Sequence, residues 1–318
     1  MVGDVPLNLQ RQRLHMKDLC LRVPRLILLG ILVGAALAGC SQLQIAYGTS
    51  EFLIKRYADD YLKLDSEQLA RWEPSLKAAL KTHRAEELPG LAGLFDALHT
   101  ASVNGFDQTN TRCLTAAFRT LYLRHARLAT AATAPLLAGL TPAQVQALEQ
   151  RFAADYADDR IEPGTRDLRR ELRKRTKRYV ESIEEWTGPL SAAQRTLVAD
   201  VTGRMPDTTQ ALLDYRTRKR ERLIALLRAD ANATNIERFL SAWLVDYQDL
   251  PPALAAAGDA IGERMGELLI RLGATLDQAQ RKRLNSRLES LRDDLMQLQQ
   301  APRLVPVGCP AAGIEPTV

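Results

Sequence analysis

His83 and Glu87 stand four residues apart in the run His83-Arg84-Ala85-Glu86-Glu87-Leu88-Pro89. On a helix that spacing puts imidazole and carboxylate on one face, where such a pair can bind a metal or move a proton. Arg84 is placed to pair with a carboxylate. The same residues also suit a plain hydrogen-bond network at a helix end, closed by the turn at Pro89. Nothing else in the chain completes a metal set. There is no His-Glu-x-x-His and no paired Glu-x-x-His, and His99 and His125 have no ligand-like spacing. Nucleophile and phosphate-loop frames are missing as well. The sequence thus names no catalytic residue, no metal and no cofactor; an enzyme centred on His83 and Glu87 stays an alternative reading.

The sharpest electrostatic feature is the run Arg166 to Arg178. At about 100° per residue, Arg166, Arg169, Arg170, Arg173 and Lys177 fall within an arc of about 100°. Leu168, Leu172, Tyr179, Ile183 and Trp186 gather opposite them. A helix here is expected to pack its apolar stripe and present a basic ridge. The ridge can bind an acidic protein, phospholipid headgroups or lipopolysaccharide phosphates, or it can be a solvated face. Asp155, Asp158, Asp159 and Glu162 lie upstream and can neutralise it across a helical hairpin. A second basic run, Arg216, Arg218, Lys219, Arg220 and Arg222, can extend it.

Cys40 offers different chemistry. The apolar run Leu26–Ala38 follows Arg22 and Arg25 and ends in Leu37-Ala38-Gly39-Cys40. It is short for a membrane span, which needs roughly 20 apolar residues, and it has the layout of a secretory leader. Its end resembles the lipobox of bacterial lipoproteins. That resemblance implies cleavage between Gly39 and Cys40 and acyl chains on Cys40, with Met16 as an alternative start. Two or three acyl chains, at roughly 0.8 kcal/mol per buried methylene, hold a protein to a bilayer. Ser41 after the cysteine points to the outer membrane, with the inner membrane as the alternative. An ordinary secretory signal containing a cysteine would look similar.

Location constrains the remaining composition. Of 43 Lys/Arg and 38 Asp/Glu, residues 1–39 hold five and two, leaving a nearly neutral mature chain. The basic balance therefore argues for no nucleic-acid partner, and the periplasm offers none. In an oxidising compartment Cys113 and Cys309 are free to pair, which would staple the tail to the body; two unpaired thiols are the other option.

The elements that must position these groups read as helices throughout. Apolar residues fall at helical spacing from Ser50 on, with no sustained alternation, so the chain is expected to be an all-α bundle of about ten helices. Helices are expected over 50–63, 66–83, 89–103, 107–138, 142–159, 165–187, 192–203, 207–229, 234–248, 252–273 and 277–299. Residues 40–49 read as a tether, 50–300 as the helical domain with a possible sub-boundary at 160–165, and 301–318 as a flexible tail.

One pattern recurs four times: Leu64-Asp-Ser-Glu-Gln68, Leu140-Thr-Pro-Ala-Gln144, Leu190-Ser-Ala-Ala-Gln194 and Leu276-Asp-Gln-Ala-Gln280. Each is a capping box, in which Asp, Thr or Ser accepts from the first helical turn and Gln reaches back to the cap's amide. The intervals of 76, 50 and 86 residues exclude a fixed-period solenoid. The pattern resembles the Leu-Thr-x-x-Gln signature of Spy- and CpxP-type periplasmic helical proteins, which are envelope-stress chaperones and sensors.

A broader likeness joins Tyr57–Gln68, His83–Pro89 and Tyr179–Gln194 with its Trp186-Thr-Gly-Pro-Leu190 core. In that order, behind a lipobox, they resemble an uncharacterised family of proteobacterial lipoproteins. The resemblance implies location and an all-helical build and carries no reaction. That family often has an aromatic residue before the His-Arg pair, where this chain has Thr82. Together these readings favour a lipid-anchored periplasmic module that binds an envelope protein, as an adaptor or in a chaperone-like way.

Overall fold

The computed structural model describes residues 40–160 and 167–309. It is all-α, with no strand among the described residues. We number the helices α1 (Cys40–Gly48), α2 (Ser50–Leu62), α3 (Ser66–Thr82), α4 (Leu88–Asn104), α5 (Gln108–Ala138), α6 (Pro142–Asp159), α7 (Leu168–Thr187), α8 (Ala192–Gly203), α9 (Thr209–Arg228), α10 (Ala233–Leu244), α11 (Pro252–Thr275) and α12 (Gln278–Gln297), with a π-helical turn, His83–Glu87, between α3 and α4. No helix among the described residues is long and apolar enough to cross a membrane.

All four capping boxes form, each with side chain and backbone bonded in both directions. They also do something no single box can do. Gln68 Nε2 donates to Gln144 Oε1 at 2.8 Å and to the Gly139 carbonyl at 2.7 Å. Gln144 Nε2 returns both bonds, to Gln68 Oε1 at 2.8 Å and to the Lys63 carbonyl at 2.7 Å. The other two boxes repeat the exchange. Gln194 Nε2 donates to Gln280 Oε1 and the Thr275 carbonyl, and Gln280 Nε2 to Gln194 Oε1 and the Pro189 carbonyl, all within 2.8–3.0 Å. In every case the gripped carbonyl belongs to the residue just before the partner's Leu. The chain therefore contains two pairs of helix–box–helix corners, α2–α3 with α5–α6, and α7–α8 with α11–α12. Each pair is locked by a reciprocal glutamine clasp.

Three apolar clusters sit around these clasps. Trp72, Leu76, Leu137, Leu148, Ile224 and Ile236 join α3, α5, α6, α9 and α10. Leu88, Phe95, Leu114, Leu121 and Leu291 join α4, the first half of α5 and α12. Val198, Val201, Leu268 and Leu272 join α8 and α11, with Tyr179 and Ile183 of α7 packed on them. Helix α5, about 46 Å long at 1.5 Å per residue, runs through the first two clusters and ties them together. Its internal Pro135 removes a backbone donor, and Trp72 Nε1 donates to the nearby Ala132 carbonyl at 2.7 Å.

Several segments differ from expectation. Residues 40–48 are a helix, not an irregular tether: Leu43 and Tyr47 are buried in the second cluster. The described part of the tail, 301–309, has no regular structure but is docked rather than loose. Val305 N–H donates to the Pro89 carbonyl at 3.0 Å, and Cys309 is disulfide-bonded to Cys113. A side chain at Gly93 would collide with the Val305 carbonyl, its Cβ falling 1.8 Å away, so this glycine lets the tail lie against α4. Gly273, expected to end a helix, lies inside α11, and its bare face is filled by Phe106, 2.9 Å from where a Cβ would stand. Helix α10 stops at Leu244, short of 248, where Tyr247 and Asp249 adopt left-handed backbone. Residues 1–39, with Gly39 and the leader, and most of the possible boundary at 160–165 lie outside the described residues.

Candidate functional site

The turn at His83 is built by a missing amide. Pro89 has no N–H for the Ala85 carbonyl, and Leu88 N–H bonds back to His83 in a π-type step. The Ala85 carbonyl takes the Arg303 guanidinium of the tail instead, at 3.0 Å. His83 and Glu87 both point inward and are buried, with exposures of 8% and 6%.

Three residues with no local signal complete the cluster. Tyr47 of α1 bonds His83 Nδ1 through its hydroxyl at 2.9 Å, and the two rings stack with centroids 5.7 Å apart. Arg84 also lies over the Tyr47 ring, 5.1 Å from its centroid. The aromatic partner that Thr82 does not provide thus comes from a helix 36 residues away in sequence. Arg124 of α5 holds Glu87 Oε1 at 3.0–3.1 Å, and its neighbour His125 meets His83 edge to face, ring centroids 5.0 Å apart. His125 Nδ1 donates to its own helix, to the Leu121 carbonyl at 2.6 Å.

Burial controls the titration of this cluster. Loss of solvation, aided by the positive charge His125 can carry, pushes His83 down to about 3. His125 is lowered by burial as well, against the pull of its bond to Leu121 and of Glu87. Burial raises Tyr47, opposed by Arg84. Both imidazoles are therefore neutral near pH 7, and the 4.0 Å approach of His125 to Glu87 is not an ion pair there. His83 Nε2, His125 Nε2 and Glu87 Oε2 make no hydrogen bond, and no three His, Cys, Asp or Glu side chains among the described residues are arranged to hold a metal. A small cleft beside the disulfide and a groove between α7 and α8 both lie away from His83. The cluster joins α1, the π-turn and α5, and its chemistry is that of a buried joint.

The basic ridge behaves differently. Asp167 caps α7 by accepting from Arg170 N–H at 2.9 Å. Tyr179, Val180 and Ile183 pack on the third cluster, whereas Leu168 and Leu172, expected on the packed side, are 58% and 39% exposed. The reason is length. Side-chain bonds tie α7 to the end of α8 and the turn after it, from Arg175 to the Thr202 and Met205 carbonyls and between Thr176 and the Thr202 hydroxyl. The first two turns of α7 overhang those bonds, and both of their leucines are exposed.

Of the acidic residues upstream on α6, Asp155 pairs with Arg220 of the second basic run, at 3.5 Å. Most of the second basic run is engaged in its own contacts. Lys219 and Arg220 are buried; Lys219 and Arg222 share Asp249, and Arg220 also covers the Phe152 ring. On the overhang, Arg169, Arg170, Arg173 and Lys174 are exposed and their side chains pair with no described residue; the same holds for Arg178, one turn further along α7. Lys177 reaches only Glu181, at 3.6 Å and in solvent. Arg166 and Glu162 lie outside the described residues.

Between α7 and α8 the overhang opens a groove of about 610 Å³. Leu172, Val180, Ala199 and Gly203 supply apolar surface, and Arg173 and Lys177 line the side toward the ridge. At the far end Arg195 and Glu184 neutralise one another at 2.7 Å, and Glu184 also accepts the Leu190 amide.

A family model described as a family of unknown function (DUF6279) matches residues 60–253, more than half of the chain. This span includes the first glutamine clasp, the His83 turn, the ridge and the groove. No curated protein and no solved structure matches.

Proposed function

We propose that this chain, which belongs to the DUF6279 family of unknown function, is a non-enzymatic protein-binding module. It is held by acyl chains on Cys40 at the outer membrane and works in the periplasm as an adaptor or chaperone-like subunit. The leader and the Leu37-Ala38-Gly39-Cys40 motif support the location. One observation carries the binding role. Of two basic runs, the one at Lys219 to Arg222 is tied into ion pairs, while on the α7 ridge Arg169, Arg170 and Arg173 have no acidic partner among the described residues, beside exposed leucines. Exposed cations clustered next to unpacked apolar side chains add nothing to folding, and they are what an acidic partner would meet first.

Crosslinking pull-downs from intact envelopes test this reading, comparing wild type with Arg169→Glu/Arg170→Glu/Arg173→Glu. A discrete partner lost in the variant is expected; identical recovery from both would refute the binding role of the ridge. For the anchor, Cys40→Ala is expected to abolish labelled-palmitate incorporation and release the protein from membranes. Retained label would overturn the lipid attachment.

A further inference from the structure

Resting on that reading, we infer that the groove between α7 and α8 receives an acidic amphipathic helix of the partner protein. Its floor and its charges each specify part of the occupant. Leu172, Val180, Ala199 and Gly203 form an apolar strip that calls for a complementary apolar stripe. Ala199 and Gly203 are one helical turn apart, and the space where a Gly203 Cβ would stand is empty. Small residues at that spacing let a second helix approach α8 closely.

The charges set the sign. On the ridge side, Arg169, Arg170 and Arg173 have no acidic partner among the described residues, and Lys177 has a solvent-exposed one. The carboxylates at the groove are Glu181, bonded to Lys177, and Glu184, bonded to Arg195 and the Leu190 amide. Carboxylates on an incoming helix would therefore meet free cations on the overhang and a neutralised pair at the other end. The stretch Leu168–Val180 offers about 18 Å of helix at 1.5 Å per residue, three to four turns of contact.

Shape selects a helix over a bilayer. By helical periodicity Leu168 and Leu172 share the face on which Tyr179 and Ile183 pack against the body. A flat surface brought to those leucines would strike the body first, whereas a rod fits the notch. An anionic membrane could still reach the outer cations, so it is the outcome the test must separate.

The test uses the full chain in phosphatidylcholine nanodiscs, with empty discs as the blank. The probe is a fluorescein-labelled peptide with Leu and Ala at helical spacing and Glu elsewhere; a counterpart carries Lys in place of Glu. The Glu peptide is expected to bind, weakening several-fold as salt rises, and the Lys peptide is not. Arg169→Glu/Arg173→Glu and, independently of charge, Ala199→Trp should each weaken binding at least about tenfold. Arg238→Glu, on the distant α10, should leave it unchanged. Absence of Glu-peptide binding, equal binding of both peptides, or full binding by the groove variants would overturn the inference. Ridge-dependent recruitment to phosphatidylglycerol vesicles without peptide binding would also overturn it and assign the ridge to a membrane surface. A ridge-dependent partner in the pull-down with no peptide binding here would leave the binding module standing and remove only the helix as its ligand.

Discussion

The clasp between Gln194 and Gln280 should behave as one unit in stability measurements. Both side chains are buried, at 5% and 6% exposure. Gln194 Nε2 spends its two hydrogens on Gln280 Oε1 and the Thr275 carbonyl, and its Oε1 accepts from the Ser191 amide and Gln280 Nε2. Gln280 mirrors this with the Pro189 carbonyl and the Asp277 amide. Gln194→Ala removes four bonds and leaves buried groups unsatisfied, a loss of roughly 3–4 kcal/mol at about 1 kcal/mol per bond. Gln280→Ala should cost a similar amount. The two bonds the glutamines share are lost in either single variant, so the double variant should fall short of the sum by about 2 kcal/mol. Gln194→Glu should be at least as damaging as Gln194→Ala, because a carboxylate oxygen would face the Thr275 carbonyl and Gln280 Oε1. Urea unfolding followed by circular dichroism, over the four members of the cycle, gives the coupling directly. Additivity within about 0.5 kcal/mol would refute the clasp as a coupled unit and reduce it to two independent caps.

Two further outcomes follow from the His83 joint and the tail. His83 is held near 3 in the fold, below its ordinary value of 6.5, so below pH 6.5 the unfolded chain takes up a proton that the fold refuses. Stability is then complete above pH 6.5 and falls with acidification, His83 alone costing about 2 kcal/mol by pH 5 at 1.4 kcal/mol per pH unit. His83→Gln should flatten the slope of unfolding free energy between pH 6.5 and 4.5 by about one proton; an unchanged slope would exclude His83 as its source. The Cys113–Cys309 bond closes a loop of 196 residues, and losing it through Cys309→Ser should cost about 2–4 kcal/mol. It should also expose residues 301–309 to protease, and wild type under reductant should show the same change. A tail that stays protected in Cys309→Ser would mean that the backbone bond to Pro89 and the Arg303 contact suffice.

Local chemistry makes the helices and their ends legible in the chain itself. The caps Asp65, Thr141, Ser191 and Asp277 act on amides within their own first turn, so spacing alone identifies them. Period 3.6 marks α2 to α12 for the same reason: an amphipathic stripe is a property of a continuous segment. Leu43 and Tyr47 carry no such mark, because α1 has no amphipathic pattern of its own and is held by what it docks against.

The candidate sites divide along the same line. The run Arg169 to Arg178 announces a basic helix, but how much of it is covered depends on where α8 ends, a contact between distant segments. The second basic run looks equivalent in sequence, but its Lys219, Arg220 and Arg222 are taken up by Asp249 and Asp155. His83 and Glu87 are visible as a pair, while Tyr47, Arg124 and His125, which decide that the pair is buried and neutral at its histidine, come from other helices, and nothing in the sequence ties them to that pair. Four boxes can be read from the chain one by one. That they clasp two by two is decided by packing, because a glutamine amide has more hydrogen-bonding capacity than its own cap uses, and only the folded neighbours determine where the remainder goes.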